Sequence, residues 1–220
     1  MRQAFWLRTC RLQAIETPFS DDFMLLQEAV IEAGNMALAR FERGDTKAWE
    51  KTPGHPVTNA DLEANRIIKR HLTGNRPDYG WLSEETALSR DTHLTDTVWC
   101  VDPIDGTRAF MGGEPYWAIA GALVKDGHAV CGVVHAPALG ETYAAERGKG
   151  AWLNGQRLLT SSCDEETGCK MIASESMLTH PAWRVPWPDM KLARPKPNAT
   201  LLRMCWVATG EWDATLALWR

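Results

Sequence analysis

The sequence lacks the features that characterise several classes of protein. No apolar run approaches the roughly eighteen residues of a membrane helix, so a membrane protein is not expected. The formal net charge is −4, which implies no broad basic face for a nucleic acid polymer. No CxxC or HExxH spacing, internal repeat or low-complexity tract occurs. We therefore expect the partner to be a small molecule.

The cysteines are widely spaced. Cys163 and Cys169 form the nearest pair among six cysteines, and no matching His or Cys cluster accompanies them to make a zinc site. The cysteines at positions 100, 131 and 205 lie in apolar stretches, where free thiols behave as small core residues. This usage indicates a reducing compartment, and we expect the protein to be cytoplasmic.

The composition is that of a folded protein. The 220 residues are 45% apolar and 24% charged, which is typical of a globular chain with a sizeable core. The length fits one large domain or two small ones. We expect an N-terminal extension at residues 1–20 and an α+β domain at residues 21–158. Residues 159–220 are then predicted to begin a second α/β domain.

Two helices are predicted near the start of the chain. Apolar residues recur at spacings of three and four over residues 21–43, which predicts an amphipathic helix that ends at Gly44. Residues 45–57 are polar and contain prolines and a glycine, so they are interpreted as a loop. The segment Thr58–Asp61 has the pattern of a capping box, which predicts a second helix ending near Gly74.

Short strands are predicted for most of the remaining chain. Residues 125–128 indicate a hairpin turn, and residues 181–197 hold five prolines and are interpreted as a loop. A further helix is predicted over Leu201–Thr209. The predicted strands are Tyr79–Leu82, Thr97–Val101, Tyr116–Val124, Ala129–His135, Glu141–Glu146, Gly150–Leu153, Met171–Ser174 and Asp213–Leu218.

Acidic residues follow two of the predicted strands. Glu84 and Glu85 come directly after Leu82-Ser83, and Asp102 begins a second acidic motif at the end of a compact apolar strand. Taken alone, a Glu-Glu pair is an ordinary surface feature. Several carboxylates at strand ends, with no histidine nearby in the sequence, nevertheless suit a hard cation such as Mg²⁺.

The segment Asp102–Thr107 predicts a tight turn, because it contains a proline and a glycine at suitable positions. Such a turn directs Asp102, the Ile104 carbonyl and Asp105 to one point. Thr107 then begins a short helix whose first N–H groups point to the same place, which is an anion site. A cation beside such a helix terminus indicates phosphate-ester chemistry.

Five sequence motifs recur together in one known family. They are Pro56–Asp61 (PVTNAD), Leu82–Thr86 (LSEET), Asp102–Thr107 (DPIDGT), Gly132–Pro137 (GVVHAP) and Gly148–Gly155 (GKGAWLNG). Through them the sequence resembles the inositol monophosphatase family of magnesium-dependent, lithium-sensitive phosphatases over most of residues 21–218. The resemblance implies the layered α/β/α/β/α sandwich of sugar phosphatases, here with an incomplete second domain. It also implies a Mg²⁺ cofactor, a small phosphorylated metabolite as substrate, and a homodimer.

The resemblance further implies metal ligands. Glu84, Asp102 and the Ile104 carbonyl would hold one magnesium ion. Asp102 and Asp105 would share a second, and Glu84 would help to place a third ion that is held more weakly. The expected reaction is hydrolysis of a phosphomonoester, most simply inositol monophosphate or a related polyol or sugar phosphate, by metal-activated water.

The resemblance also implies catalytic and phosphate-binding residues. Asp61 and Thr107 would form a hydrogen-bonded dyad beside the attacking water, and Glu84 would contribute to catalysis through its metal. The backbone N–H groups of Gly106 and Thr107 would bind the phosphate. Lys51 would lie on a mobile loop over the metals.

The sequence departs from the family near its end. The family closes its metal site with a late Trp-Asp-x-Ala-Ala-Gly motif, whose Asp binds the second magnesium. Trp212 and Asp213 resemble the start of that motif, but Gly210–Ala214 fits an earlier strand of the family better. We therefore expect a C-terminally truncated chain that lacks this one ligand.

Several alternatives to inositol monophosphate hydrolysis remain open. Histidinol phosphate or a 3′(2′),5′-bisphosphate nucleotide are substrates within the same family, and Arg108 disfavours the nucleotide branch, which more often has Lys-Glu after the threonine. A haloacid-dehalogenase-type phosphatase is disfavoured, because two residues separate Asp102 from Asp105 where that class has one. A truncated or degenerate paralogue that only binds metal or a partner is the non-enzymatic alternative.

Overall fold

The structure is a computed structural model that describes residues 20–86 and 95–217 of the chain. The predicted extension at residues 1–20 lies outside this part, apart from Ser20. The helices in it are Asp21–Arg43 (α1), Asn59–Asn75 (α2), Thr107–Met111 (α3), Glu175–Leu178 (α4) and Thr200–Ala208 (α5). Its strands are Ala48–Thr52 (β1), His55–Thr58 (β2), Gly80–Ser83 (β3), Thr97–Asp105 (β4), Ala118–Lys125 (β5), His128–Ala136 (β6), Glu141–Glu146 (β7), Gly150–Leu153 (β8), Gln156–Arg157 (β9), Lys170–Ile172 (β10), Lys191–Leu192 (β11) and Ala214–Thr215 (β12).

A seven-stranded sheet with the order β3-β4-β5-β6-β7-β8-β9 forms the centre of the fold. β3 and β4 are parallel, and every later pair is antiparallel, so the sheet is a meander from β4 onwards. The predicted hairpin turn between β5 and β6 is confirmed. Its central residues, Asp126 and Gly127, have φ angles of 50° and 73°, which suit a two-residue turn.

α1 and α2 cover one face of this sheet. The helix predicted over residues 21–43 is confirmed, with Ser20 accepting a hydrogen bond from the Phe23 N–H and Gly44 in the left-handed conformation. The apolar stripe of α1 packs against β5 and β6. Fully buried side chains such as Leu26 and Val30 each stabilise the fold by about 1.5–3 kcal/mol.

Two glycines allow α1 to lie close to the sheet. A Cβ atom on Gly34 of α1 would lie 2.3 Å from Cδ2 of His135 on β6. A Cβ atom on Gly121 of β5 would lie 2.7 Å from Cδ1 of Leu26. The contact between helix and sheet therefore depends on the absence of a side chain at both positions.

α5 lies on the opposite face of the seven-stranded sheet. Ile119 of β5 packs in the core beneath α1 and α2, whereas its neighbour Ala118 packs with Leu202 of α5. α5 also contacts β12, which belongs to a three-stranded parallel sheet with the order β11-β10-β12. The described layers run helix, sheet, helix, sheet, in agreement with the predicted α+β sandwich.

The interpretation of residues 45–57 as a loop is wrong. β1 and β2 form an antiparallel hairpin there, with Ala48 opposite Thr58 and Trp49 opposite Val57. β1 is exposed along its whole length, so its residues show no alternation of polar and apolar character that would indicate a strand.

Several boundaries also differ from the prediction. β4 continues past Val101 to Asp105, and the strand predicted over Asp213–Leu218 is limited to β12, with Leu218 outside the described part. The sequence did not indicate β9, β11 or α4, because elements of two to four residues are too short for a periodic pattern. The division of the chain at residue 158 into two domains stays a prediction.

Within residues 20–86 and 95–217, no helix has both the length and the apolar character that crossing a membrane requires.

The close approach of α1 to the sheet gives a stability test. We expect Gly34→Ala to lower the free energy of unfolding by about 1–3 kcal/mol, because the added methyl group overlaps the buried His135 ring. Gly74→Ala is the matched control, since Gly74 is also helical and a methyl group added there would have no neighbour within 4 Å. This control should be neutral or stabilising by up to about 1 kcal/mol. Urea denaturation of both variants measures the difference, and equal effects would contradict the packing argument.

Candidate active site

The carboxylates singled out in the sequence come together at one end of the seven-stranded sheet. β3 and β4 are parallel neighbours, with Ser83 beside Val101, so the residues that follow them meet at the same edge. The Glu84 N–H donates to the Val101 carbonyl at 3.4 Å, which places Glu84 beside Asp102. Both residues lie at the polar end of a largely apolar groove of about 860 Å³ between the sheet and α5.

An irregularity in β4 directs two carboxylates to this end. The pairing of β4 with β5 is interrupted between Asp102 and Asp105, where Pro103 has no N–H to donate. Gly106 then turns the chain into α3 with a φ of 92°. A Cβ atom at this position would lie 2.9 Å from the Tyr116 carbonyl oxygen, so both the backbone conformation and the space require glycine.

Asp61 is held in a fixed orientation by its neighbours. It occupies the third position of α2 and completes the predicted capping box, which is confirmed. Its Oδ2 atom accepts hydrogen bonds from the Thr58 N–H at 2.8 Å and the Thr58 hydroxyl at 2.5 Å. Its Oδ1 atom accepts from the Thr107 hydroxyl at 3.2 Å. The structure therefore brings Asp61 and Thr107 together across 46 residues of chain.

Asp105 connects the acidic cluster to the second helical layer. Its carboxylate accepts backbone N–H groups from the start of α5, at 3.0 Å from Thr200, 2.6 Å from Leu201 and 3.4 Å from Leu202. These donors are otherwise unpaired at a helix N-terminus, and a negative charge there is favourable. No pattern in the sequence indicated this contact, because its partners are 95 residues apart.

Burial raises the pKa of every carboxyl group that is enclosed at this site. Loss of water is the largest cause in each case, and repulsion from Asp105, Glu84 and Asp61 adds to it for Asp102, whose pKa rises to about 8. Hydrogen bonds oppose the shift at Asp61 and Asp105 without cancelling it. The carboxyl groups concerned are Asp61, Glu85, Asp102 and Asp105.

The cluster has the donor set of a hard cation. Asp102 Oδ1 and Glu85 Oε2 are buried and have no hydrogen-bond partner among the described residues. Buried carboxylate oxygens normally have partners, and a divalent cation would satisfy both the lone pairs and the charge. The Ile104 carbonyl oxygen lies 3.1 Å from the Thr107 hydroxyl, and its lone pairs remain for a cation when that hydroxyl donates its single proton to Asp61.

Lys51 and Glu85 form an ion pair at the edge of this cluster. The Lys51 ammonium also donates to the Glu84 carbonyl at 3.1 Å, so β1 contacts the turn after β3. Glu85 has only 5% of its side chain exposed, whereas Glu84 is exposed. The resemblance assigned a role to Glu84 alone, and the burial of Glu85 was not indicated because its partner Lys51 is distant in the sequence.

Asp213 does not join the carboxylates described above. Its Oδ2 atom accepts the Lys170 N–H at 2.7 Å, beside the three-stranded sheet. The interpretation that Trp212-Asp213 is not the family's late metal motif agrees with this position.

Comparison with known proteins finds one matching family and several relatives within it. The model of the Inositol monophosphatase family matches residues 22–220. The histidinol-phosphatase of Chlorobaculum parvum is 36% identical over 156 residues, which make up 70% of this chain and 59% of that protein. The inositol-1-monophosphatase of Rhizobium meliloti is 42% identical over 135 residues, which make up 61% of this chain and 50% of that protein. The matched region thus spans about half to three-fifths of the length of these curated relatives.

Solved structures agree with the fold. An IMPase of Thermotoga maritima superposes with a TM-score of 0.74 at 27% identity, covering 90% of this chain and 78% of the other. The extragenic suppressor protein suhB of Bartonella henselae gives a TM-score of 0.75 at 25% identity, covering 90% and 80%. The predicted fold class is therefore confirmed.

The raised pKa of Asp102 predicts a pH-dependent stability. Between about pH 4 and pH 8 the folded chain keeps a proton that the unfolded chain has lost, so without metal the free energy of unfolding falls as the pH rises. The slope contributed by this group is up to about 1.4 kcal/mol per pH unit.

Asp102→Asn removes this contribution, so in EDTA the variant should gain stability over the wild type as the pH rises from 5 to 8. Urea denaturation at both pH values measures the gain, with Asp78→Asn as a control at an exposed aspartate. A pH dependence of stability that Asp102→Asn leaves unchanged would show that Asp102 is not its source.

Proposed function

Because the chain belongs to the inositol monophosphatase family, we propose that it hydrolyses small phosphomonoesters with magnesium as its cofactor. The observation that carries this proposal is the crowding of buried carboxyl groups around Asp102, whose Oδ1 atom has no hydrogen-bond partner in the described part. Carboxyl groups so arranged need a cation to be ionised together at neutral pH. Oxygen atoms make up the whole donor set, which Mg²⁺ prefers.

In this proposal the metal ligands belong to the turn Asp102–Asp105 and to Glu84, which follows the neighbouring strand β3. Glu84, Asp102 and the Ile104 carbonyl would hold one ion, and Asp102 and Asp105 would hold a second. Bound magnesium supplies Lewis-acid chemistry, since it makes water a stronger acid and offsets charge on phosphate oxygens. Three N–H donors of α5 keep the Asp105 carboxylate in place for this task.

Asp61 and Thr107 handle the proton of the attacking water. The Thr107 hydroxyl donates to Asp61 Oδ1, so Thr107 Oγ can accept a proton from the water while its own proton passes to the Asp61 carboxylate. Thr58 binds the other Asp61 oxygen twice, so the carboxylate does not rotate away. Proton transfer to a positioned group typically contributes about 10²–10⁴-fold in rate.

The turn that carries Thr107 also binds the phosphate in this proposal. The backbone N–H groups of Gly106 and Thr107 donate to the phosphate oxygens. A side chain at position 106 would prevent this turn, because its Cβ atom would lie too close to the Tyr116 carbonyl oxygen. Lys51 balances the charge of Glu85, with which it is paired. The role of Lys51 is thus to keep a buried glutamate ionised beside the metals rather than to reach the substrate.

Inositol monophosphate is the first candidate substrate, as the Rhizobium meliloti relative is an inositol-1-monophosphatase. Histidinol phosphate is the second candidate, because the Chlorobaculum parvum relative, a histidinol-phosphatase, is matched over 70% of this chain. A cytoplasmic location and a homodimer remain part of the proposal, as does the absence of a nucleic acid or membrane partner.

Magnesium-dependent phosphate release tests the proposal directly. The 220-residue chain is assayed with inositol 1-phosphate, histidinol phosphate and 3′-phosphoadenosine 5′-phosphate. We expect turnover of one of the first two, a loss of about 10²-fold or more in kcat for Thr107→Ala, and no turnover in EDTA. Thr73→Ala is the matched control and should be unchanged, since Thr73 lies about 18 Å from Asp61 along α2.

Two results would contradict the proposal. Full activity of a folded Thr107→Ala variant would exclude a role of Thr107 in proton transfer. No turnover of any of the three esters by a folded chain that still binds Mg²⁺, even after the family's late metal motif is supplied, would favour the non-enzymatic alternative.

A further inference from the structure

A second group of metal-ligand side chains lies outside the acidic cluster. Cys163, Cys169 and Asp213, called here the thiol–carboxylate cluster, have ligand atoms that all lie within 4.8 Å of one another. The sequence indicated no zinc site at the two cysteines, because no matching His or Cys cluster accompanies them. The fold supplies a third ligand from 44 residues beyond Cys169, just before the strand that pairs with β10.

Backbone pairing fixes the carboxylate of this cluster. β10 and β12 are parallel neighbours, with Met171 beside Ala214. Asp213, just before β12, donates its N–H to the Lys170 carbonyl at 2.9 Å and accepts the Lys170 N–H on its Oδ2 atom at 2.7 Å. These two bonds position the carboxylate next to Cys169, the residue before Lys170.

The cysteines approach this carboxylate from two sides. Cys169 is buried at the start of β10, whereas Cys163 is exposed and belongs to the segment that leads into the strand. A turn in that segment, closed by the Cys169 N–H and the Glu166 carbonyl at 3.2 Å, folds Cys163 back towards Cys169. Neither thiol is part of a disulfide in the structure.

The spacing matches a tetrahedral thiolate site. A zinc ion with Zn–S bonds of about 2.3 Å and tetrahedral angles separates its ligand atoms by about 3.5–3.8 Å. Atoms already within 4.8 Å of one another reach this separation through small side-chain rotations. We propose that Cys163, Cys169 and Asp213 bind Zn²⁺, with water in the fourth position on the exposed side of Cys163.

Ligand chemistry separates this site from the acidic cluster. Thiolates select Zn²⁺ and other soft or borderline cations, whereas Mg²⁺ takes oxygen ligands. Zinc binding would release two thiol protons and join the segment around Cys163 to β10 and β12. The acidic residues Asp164, Glu165 and Glu166 beside Cys163 add to the attraction for a cation.

Cobalt(II) is the probe for this site, because thiolate ligands give Co²⁺ a charge-transfer absorption that oxygen ligands do not. The reduced chain is titrated with Co²⁺ in the presence of excess Mg²⁺, and Zn²⁺ is then added. We expect one Co²⁺ per chain with thiolate absorption, displaced by one equivalent of Zn²⁺. We also expect Zn²⁺ to raise the Tm of the reduced chain.

Matched variants locate the site. Cys163→Ser should abolish the thiolate absorption or weaken Zn²⁺ binding by at least about 100-fold, since the loss of a supporting residue alone costs 10–100-fold. Asp213→Asn keeps the shape of its side chain and should weaken binding as well. Asp164→Asn, at an acidic neighbour outside the cluster, should weaken binding far less, because it removes a charge and no ligand. Circular dichroism confirms that each variant is folded.

Three outcomes would overturn the proposal. Thiolate absorption that survives Cys163→Ser would assign the metal to other cysteines. Equal weakening by Asp164→Asn and Asp213→Asn would indicate attraction by charge alone. A wild-type chain that binds no Co²⁺ while both thiols are shown to be reduced would exclude the site.

Discussion

The enclosure of several carboxyl groups in one small volume is the constraint around which this structure is arranged. Each group loses water on folding, and their charges repel one another when they ionise, so protons are held where acids are normally ionised. Thr58 and the start of α5 supply hydrogen bonds to two of them. Asp102 has fewer hydrogen-bond donors, since its Oδ1 atom has no partner in the described part. An added positive charge is needed to compensate the negative charges when these carboxyl groups ionise together.

Asp105 shows how this constraint reaches beyond the first sheet. Its carboxylate accepts the N–H groups of α5 with both oxygens, and each oxygen has a further lone pair. Arg203 of the same helix attracts it as well. A cation bound by Asp102 and Asp105, as proposed, would therefore act on the same side chain that contacts α5. Changes in metal occupancy would be felt at α5, which also contacts the three-stranded sheet.

Local patterns in the sequence were sufficient for much of this fold. The stripe of α1, the capping box of α2 and the turn at Asp126-Gly127 each depend on residues that are close in the chain. The meeting of Glu84 with Asp102 followed from the expectation that strand ends carry the acidic motifs. The residues that the structure brings together here are residues to which the family resemblance gives a shared site. Their roles stay proposals.

Features set by distant contacts could not be predicted in the same way. β1 of the β1–β2 hairpin is exposed along its length and has no apolar alternation, so nothing in its own sequence marks it as a paired strand. Burial of Glu85 depends on Lys51 from that hairpin. The third member of the thiol–carboxylate cluster is positioned by strand pairing across 43 residues. In each case the feature depends on a contact with a residue that is distant in the sequence, and no local periodicity of the sequence indicates it.

The meander of the seven-stranded sheet has a consequence for how the chain is made. All of its strands, together with α1 and α2, are encoded before residue 158, and the acidic residues of the site fall between positions 61 and 105. The N–H groups that bind Asp105 belong to residues 200–202 and leave the ribosome much later. A nascent chain can thus close its first core while Asp105 still faces water. The enclosure of that carboxylate therefore follows the synthesis of residues 200–202.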